Sequence, residues 1–283
     1  MRHLQIGGLL LLALLICLFI GLSSREPIAQ GRRLRGWLGD LRHPSPLVRH
    51  RAQEAIGHVG TNAVPWLRKI LHAEDSPGKT NLIHLLSQQP FVRIRFVPAR
   101  ERRISAALAC AILGPKAEPA IPDLLEFSNE DVFCRNLAES ALGKMGAGAV
   151  EPLSLALTNE DFNVRRIAVG ALAQIGARAN RATDVLLNCL NDRYGSVRSE
   201  AAYALGRLQP SPAILKGLAA TLDDTEPDVR MAAAVSLIGF GESSIPILHD
   251  RLKISDQQGA TRITNVLKGI EAALYHQPGP ANR

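Results

Sequence analysis

Aromatic residues make up only 4% of this 283-residue chain, although 46% of it is hydrophobic. The apolar mass is therefore Ala, Leu, Ile and Val. Ala and Leu lead the helix propensity scale, so the composition leans to helix and away from sheet. Cysteine is equally sparse: Cys17, Cys110, Cys134 and Cys189, with no C-x-x-C pair. That spacing implies neither a zinc site nor a disulfide framework, and the thiols read as small buried hydrophobes. G-x-S-x-G, a phosphate loop and G-x-G-x-x-G are all missing, and no two of the eight histidines form H-x-x-x-H. His50 and His58, eight apart on one helix, read as a solvated pair. The sequence nominates no catalytic, metal-ligating or cofactor-binding residue, and no cofactor.

The chain does carry net charge +7 and a pI of about 9.6, which permits contact with anionic lipid, nucleic acid or an acidic protein without choosing among them. Its length exceeds what one compact core fills comfortably, leaving two domains or a one-dimensional stack. Ile6 to Leu22 holds no charged residue. At about 1.5 Å per residue this run spans roughly 25 Å, slightly less than a hydrocarbon core. Two readings stand for residues 1–24. A retained membrane anchor is favoured by the Leu-dense run. A cleaved signal peptide would use Gly21 and Ser23 as its small residues. Ile16 before Cys17 argues against a lipid-modified cysteine. Arg25, Arg32, Arg33 and Arg35 after the run would hold the body in the cytoplasm under the positive-inside rule. Export of the body is the usual outcome for such a leader, and is the expectation adopted; cleavage would make the body secreted or periplasmic.

Internal repetition decides the fold. Aligned on Arg49, Arg103, Arg135, Arg165, Arg198 and Arg230, the chain shows Ala52, Ala106, Ala138, Ala168, Ala201 and Ala233 three residues on. Six on come Ala55, Ala109, Ala141, Ala171, Ala204 and Ser236; seven on is always apolar; eleven on is glycine except at Gln209. Offsets 0, 3, 6–7 and 10 trace one stripe of a helix, and a glycine just past its end is a C-cap signal. A second amphipathic segment follows each glycine: 63–71, 120–127, 149–157, 182–190, 213–222 and 244–252. Pro65, Pro122, Pro152 and Pro246 fall in the first turns of these segments, where a missing N–H costs little. Asp161, Ser196 and Thr225 are placed to cap the helix after each polar turn. The unit is a helix–turn–helix of about 32 residues that buries both faces only by stacking on its neighbours.

The stretch Asp161–Gly176, DFNVRRIAVGALAQIG, resembles the HEAT repeat, and within it the short variety named after phycobilisome lyases. The resemblance covers residues 35–275 and implies an all-α solenoid of about six units. The region Glu26-Pro27, Gly31, Leu34 and Trp37-Leu38 is similar to the start of bacterial HEAT-repeat proteins carrying an N-terminal hydrophobic segment. One HEAT-like family, the deoxyhypusine hydroxylases, binds two irons through His-Glu motifs; no His-Glu dipeptide occurs here. In HEAT repeats the recurring arginine bonds an acidic or carbonyl partner between units, so the six arginines are read as structural.

The organisation expected is a leader at 1–24, a linker at 25–34, a solenoid at 35–275 interrupted by an insertion at 72–101, and a flexible tail at 276–283. Within the insertion, Lys79 to Gln89 reads as a short helix and Pro90 to Arg100 as an extended connector. Arg93, Arg95 and Arg100, beside Phe91 and Phe96, form a candidate basic loop. Candidate partner-binding residues are Asn136, Lys144, Arg166, Gln174, Ser199, Tyr203 and Arg207, which follow the repeat arginines on one helix face whose identity packing does not dictate. The function expected is a non-catalytic, membrane-presented protein-binding scaffold whose concave face, lined by the second helix of each unit, meets an extended protein partner. A lyase-type enzyme accessory that handles a chromophore is the alternative. Non-specific nucleic-acid binding is a third and weaker one.

Overall fold

A computed structural model describes residues 26–78, 81, 97–129 and 131–275. The leader, the helix expected at 79–89, Arg93, Arg95 and the tail lie outside the described residues. The chain divides into two compact units, residues 1–120 and 121–283.

In the first unit, the stretch expected to be a linker contains an antiparallel hairpin, β1 (Ile28–Ala29) with β2 (Arg32–Arg33). Gln30 and Gly31 turn the chain with positive φ, as a two-residue hairpin requires. Trp37 Nε1 donates to the Ala29 carbonyl at 3.0 Å and ties the hairpin to α1 (Leu34–Asp40). Helices α2 (Pro46–Val59), α3 (Val64–Leu71) and α4 (Ala99–Leu113) follow. Helix α4 starts earlier than the expected connector allows. Asp75 accepts from the Ala99 N–H at 2.6 Å and from Arg102, so the helix is nucleated inside the insertion, with Arg100 in its first turn. Among the described residues one helical run, Ala99–Phe127, is long and apolar enough to cross a membrane, and 67% of its most apolar window is buried in the protein.

The second unit is regular. Helices α5 (Ile121–Phe127), α6 (Val132–Met145), α7 (Val150–Ala156), α8 (Phe162–Ile175), α9 (Thr183–Cys189), α10 (Gly195–Leu205), α11 (Pro212–Thr221), α12 (Pro227–Gly239), α13 (Ile245–Leu252) and α14 (Gln257–Tyr275) alternate between two rows. The even-numbered helices α6 to α12 carry the repeat stripe. The six alanines three residues after the arginines all have zero exposure, as do the apolar residues seven after. Ser236, the exception to alanine at six, donates its hydroxyl to the Ala202 carbonyl at 2.9 Å and so remains satisfied while buried. Gly60, Gly114, Gly146, Gly176 and Gly241 all end their helices with positive φ. At Gly176 φ is 63° and ψ −138°, a region closed to side chains, which is why glycine recurs there. Gln209 breaks the rule because α10 stops early, at Leu205, and Ser211 caps the next helix through the Ile214 N–H.

The first helices pack closely, α6 on α8, α8 on α10 and α10 on α12, while the second helices α7, α9 and α11 touch one another little. Alanine and glycine on the first helices permit that approach.

Candidate functional site

The repeat arginines are best understood from the turns that precede them. Six residues before each of four arginines stands a side chain that accepts from a backbone N–H two residues on: His43 to Ser45, Asn159 to Asp161, Asp192 to Tyr194 and Asp224 to Glu226. The turn so formed aims its carbonyls at the arginine. Arg49 Nη1 donates to the carbonyls of His43 and Pro44, Arg165 to Asn159 and Glu160, and Arg230 to Asp224 and Thr225. The outer edge of two guanidiniums then reaches forward to the next turn. Arg165 pairs with Asp192 through Nε and Nη2 at 2.6 and 2.9 Å, and Arg198 with Asp224 at 2.7 and 2.8 Å. These side chains are only 9–12% exposed.

Burial pushes the Asp192 carboxyl up. The Arg165 hydrogen bonds and the Tyr194 N–H outweigh it, and the pKa falls below its ordinary value. Asp224 is held low chiefly by Arg198. Ser196 and Thr225 were expected to be caps. The residues that precede these helices are instead Tyr194 and Glu226, whose N–H groups are held by Asp192 and Asp224 two residues before them. Asp161 does cap α8, accepting from Asn163. Arg49, Arg165, Arg198 and Arg230 are thus tied to turns of the fold. Asp192 and Asp224, missed in the sequence reading, were signalled by an acid or amide six residues before Arg135, Arg165, Arg198 and Arg230.

The candidate interaction face lies on the first helices. Asn136 and Lys144 are exposed on α6. Glu139 reaches from α6 across α8, its carboxyl 2.6 Å from where a Cβ on Gly170 would stand, and accepts from Gln174 Nε2 at 3.0 Å. Only glycine at 170 leaves room for that carboxylate. Arg166 is half-buried on α8, and its buried Nη2 makes no hydrogen bond. Burial lowers its pKa, Arg135 adds to that, and Glu200 on α10 and Glu139 oppose it. Burial, then the charge of Glu139, raises the Glu200 carboxyl, with Arg166 opposing. Ser199 donates to the Asp228 carbonyl at 3.3 Å, and Arg207 Nε to the Ala173 carbonyl at 2.9 Å. Arg207 also donates to the Tyr203 hydroxyl at 3.1 Å, leaving that ring exposed.

The structure therefore brings the seven candidates onto one row but employs Gln174, Ser199 and Arg207 between helices. Asn136, Lys144, Arg166 and Tyr203 remain for contact. Sequence reasoning missed Glu139 and Glu200, which lie off the strict register, and Met231 and Val235, which continue it on α12 and are 65% and 51% exposed. Beside Met231 a groove of about 430 Å³ runs between α12 and α14, walled by Ala234, Ile238 and Val266, with Arg230 and Arg262 at its edge. Among the described residues no group of three or more His, Cys, Asp or Glu is placed to hold a metal ion. Cys110, Cys134 and Cys189 are buried and form no disulfide, and burial pushes Cys189 up to about 11.

Residues 134–206 and 183–267 match the family profile of HEAT repeats. No curated protein matches the chain significantly. Among solved structures, it is similar to the complex of CpcE and CpcF of phycocyanin lyase from Nostoc, 28% identical over 52% of this chain and 98% of that one, TM-score 0.43. Human deoxyhypusine hydroxylase is 18% identical over 84% of this chain and 96% of that one, TM-score 0.35. The karyopherin Kap121p, bound to the extreme C-terminus of the phosphatase Cdc14p, is 13% identical over 86% of this chain and 30% of that one, TM-score 0.45. Its described residues are all-α apart from one two-stranded hairpin, and residues 134–267 carry HEAT repeats.

Proposed function

We propose that this HEAT-repeat chain is a non-catalytic scaffold that binds a protein partner on the first-helix row of its second unit, and that residues 6–22 present it at a membrane. The observation that carries the reading is Arg166. A half-buried guanidinium with an unbonded Nη2 is costly unless a partner completes it. Nη2 itself is shielded from solvent, so a carboxylate or backbone carbonyl of a bound chain meets the exposed part of the same guanidinium. Lys144 and Tyr203 flank that point as exposed charge and ring, and Met231 with Val235 extend the row as apolar contacts. Mixed polar contacts around an arginine and an aromatic anchor are the chemistry of protein interfaces.

The test is co-purification from membranes with the full chain against Arg166→Met/Lys144→Glu, which removes the half-buried charge without adding a carboxylate beside Glu139 and Glu200. Arg207 is left intact because it joins helices. Loss of the partner by about tenfold or more, with unchanged melting, is expected; undiminished recovery removes this face.

A further inference from the structure

Positive charge is divided unequally between the two units. Residues 1–120 hold 17 Lys and Arg against 7 Asp and Glu, whereas residues 121–283 hold 16 against 19. The excess is densest just after the hydrophobic run: residues 25–51 carry seven arginines and two carboxylates. The fold spends both carboxylates locally, Glu26 on Arg35 at 2.6 Å and Asp40 on Arg32. Arg33 and Arg51 stand exposed, Arg49 gives its donors to carbonyls and keeps its charge, and Arg42 approaches Glu101 only to 3.6 Å.

We infer that the hairpin and α2 of the first unit form a seat for an anionic lipid surface. Ile28 is 67% exposed and pairs with Arg33 across the hairpin, so the two share a face. Leu47 is 61% exposed and lies one turn before Arg51 on α2, again on one face. An exposed apolar side chain beside an arginine suits the boundary between acyl chains and phosphates, where the first sinks and the second pairs. Ile6–Leu22 ends four residues before Glu26. Ile28, where the hairpin begins, is six residues past Leu22, so at roughly 3.5 Å per residue a run held in a bilayer keeps the start of the hairpin within about 21 Å of the headgroups. That clause rests on the membrane placement proposed above; the charge pattern does not. A nucleic acid fits less well, because Trp37 is covered by Arg32 at 4.8 Å and offers no free ring for stacking.

The full chain is mixed with vesicles of phosphatidylcholine alone or with added phosphatidylglycerol, and flotation and amide exchange are followed. Exchange across 28–51 slows several-fold on the anionic vesicles only. The effect is lost at about 0.5 M salt, and in Arg33→Glu/Arg51→Glu, whose second unit exchanges as before. Each arginine contributes about a fivefold gain in partitioning, so the double variant loses at least roughly 25-fold in any anionic-specific flotation. Flotation on anionic but not neutral vesicles supports the seat and sinks the anchor. Flotation on both, with identical exchange over 28–51, leaves the anchor and overturns the seat. Protection by duplex DNA but not by anionic vesicles also overturns it.

Discussion

Replacing Asp224 by alanine tests the ladder where it is best formed. The side chain accepts three bonds, from Arg198 Nε and Nη2 at 2.7 and 2.8 Å and from the Glu226 N–H at 2.9 Å. Both partners of the ion pair are 12% exposed, so solvent repairs little of the loss. Breaking a buried pair by removing one member costs about 3–5 kcal/mol, because the other charge is left without its counterion. Two features reduce that figure here. Arg198 keeps the Asp192 carbonyl at 2.9 Å, and Glu226 Oε1 lies 3.3 Å away and is able to move in. The expected loss is therefore about 3 kcal/mol in a urea titration, and a cycle with Arg198→Met gives a coupling of about 2 kcal/mol. Asp224→Asn retains the turn acceptor and loses only the charge, and falls between the two. The exposed pair Asp250–Lys253 is the control, and Asp250→Ala leaves the titration unchanged. A loss under about 1 kcal/mol for Asp224→Ala, with no coupling to Arg198, refutes the ladder as a source of stability.

Acid sensitivity follows from the same pairs. Asp192 and Asp224 are depressed in the folded protein, so their stabilisation is fully present above the unfolded carboxylate pKa and is lost as pH falls through the folded values. Stability measured downward from about pH 5 therefore declines more steeply in the parent than in Asp192→Asn/Asp224→Asn, and parallel profiles contradict the assignment. Ala201→Leu places three extra carbons at a position with no exposure, between close-packed first helices, and costs about 1–3 kcal/mol by urea denaturation. An unchanged midpoint would mean that the helices separate freely there.

Periodic features were legible because packing repeats them. Ala168 and Ala201 recur at one offset since the same helix contact recurs, and the glycines recur because one backbone conformation ends each helix. Proline in the first turn of the second helices was equally readable. The candidate face was legible only as a register. Its chemistry depends on side chains leaving the register: Glu139 crosses to the next helix because Gly170 leaves room. No offset rule contains that. The forward partners of the arginines were signalled only by the acid or amide that opens the following turn, and their distance from the arginine is not fixed. Asp192 lies 27 residues after Arg165 and Asp224 26 after Arg198, a separation that varies with turn length. The hairpin at 28–33 escaped notice because two-residue strands carry no alternation to read.

The clamp around Arg165 and Arg198 also has a direction in time. Its carbonyl half lies upstream in the chain and its carboxylate half lies downstream, in the following turn. A chain made from its amino terminus supplies the carbonyls of Asn159 and Glu160 before Arg165 itself. Asp192 arrives only after a further repeat has emerged. The units of Arg165 and Arg198 thus wait half-clasped, their guanidiniums in water, until the successor is synthesised and locks them. Growth of the array and completion of its bonds proceed one unit out of phase, which favours orderly addition from one end over collapse of the whole chain at once.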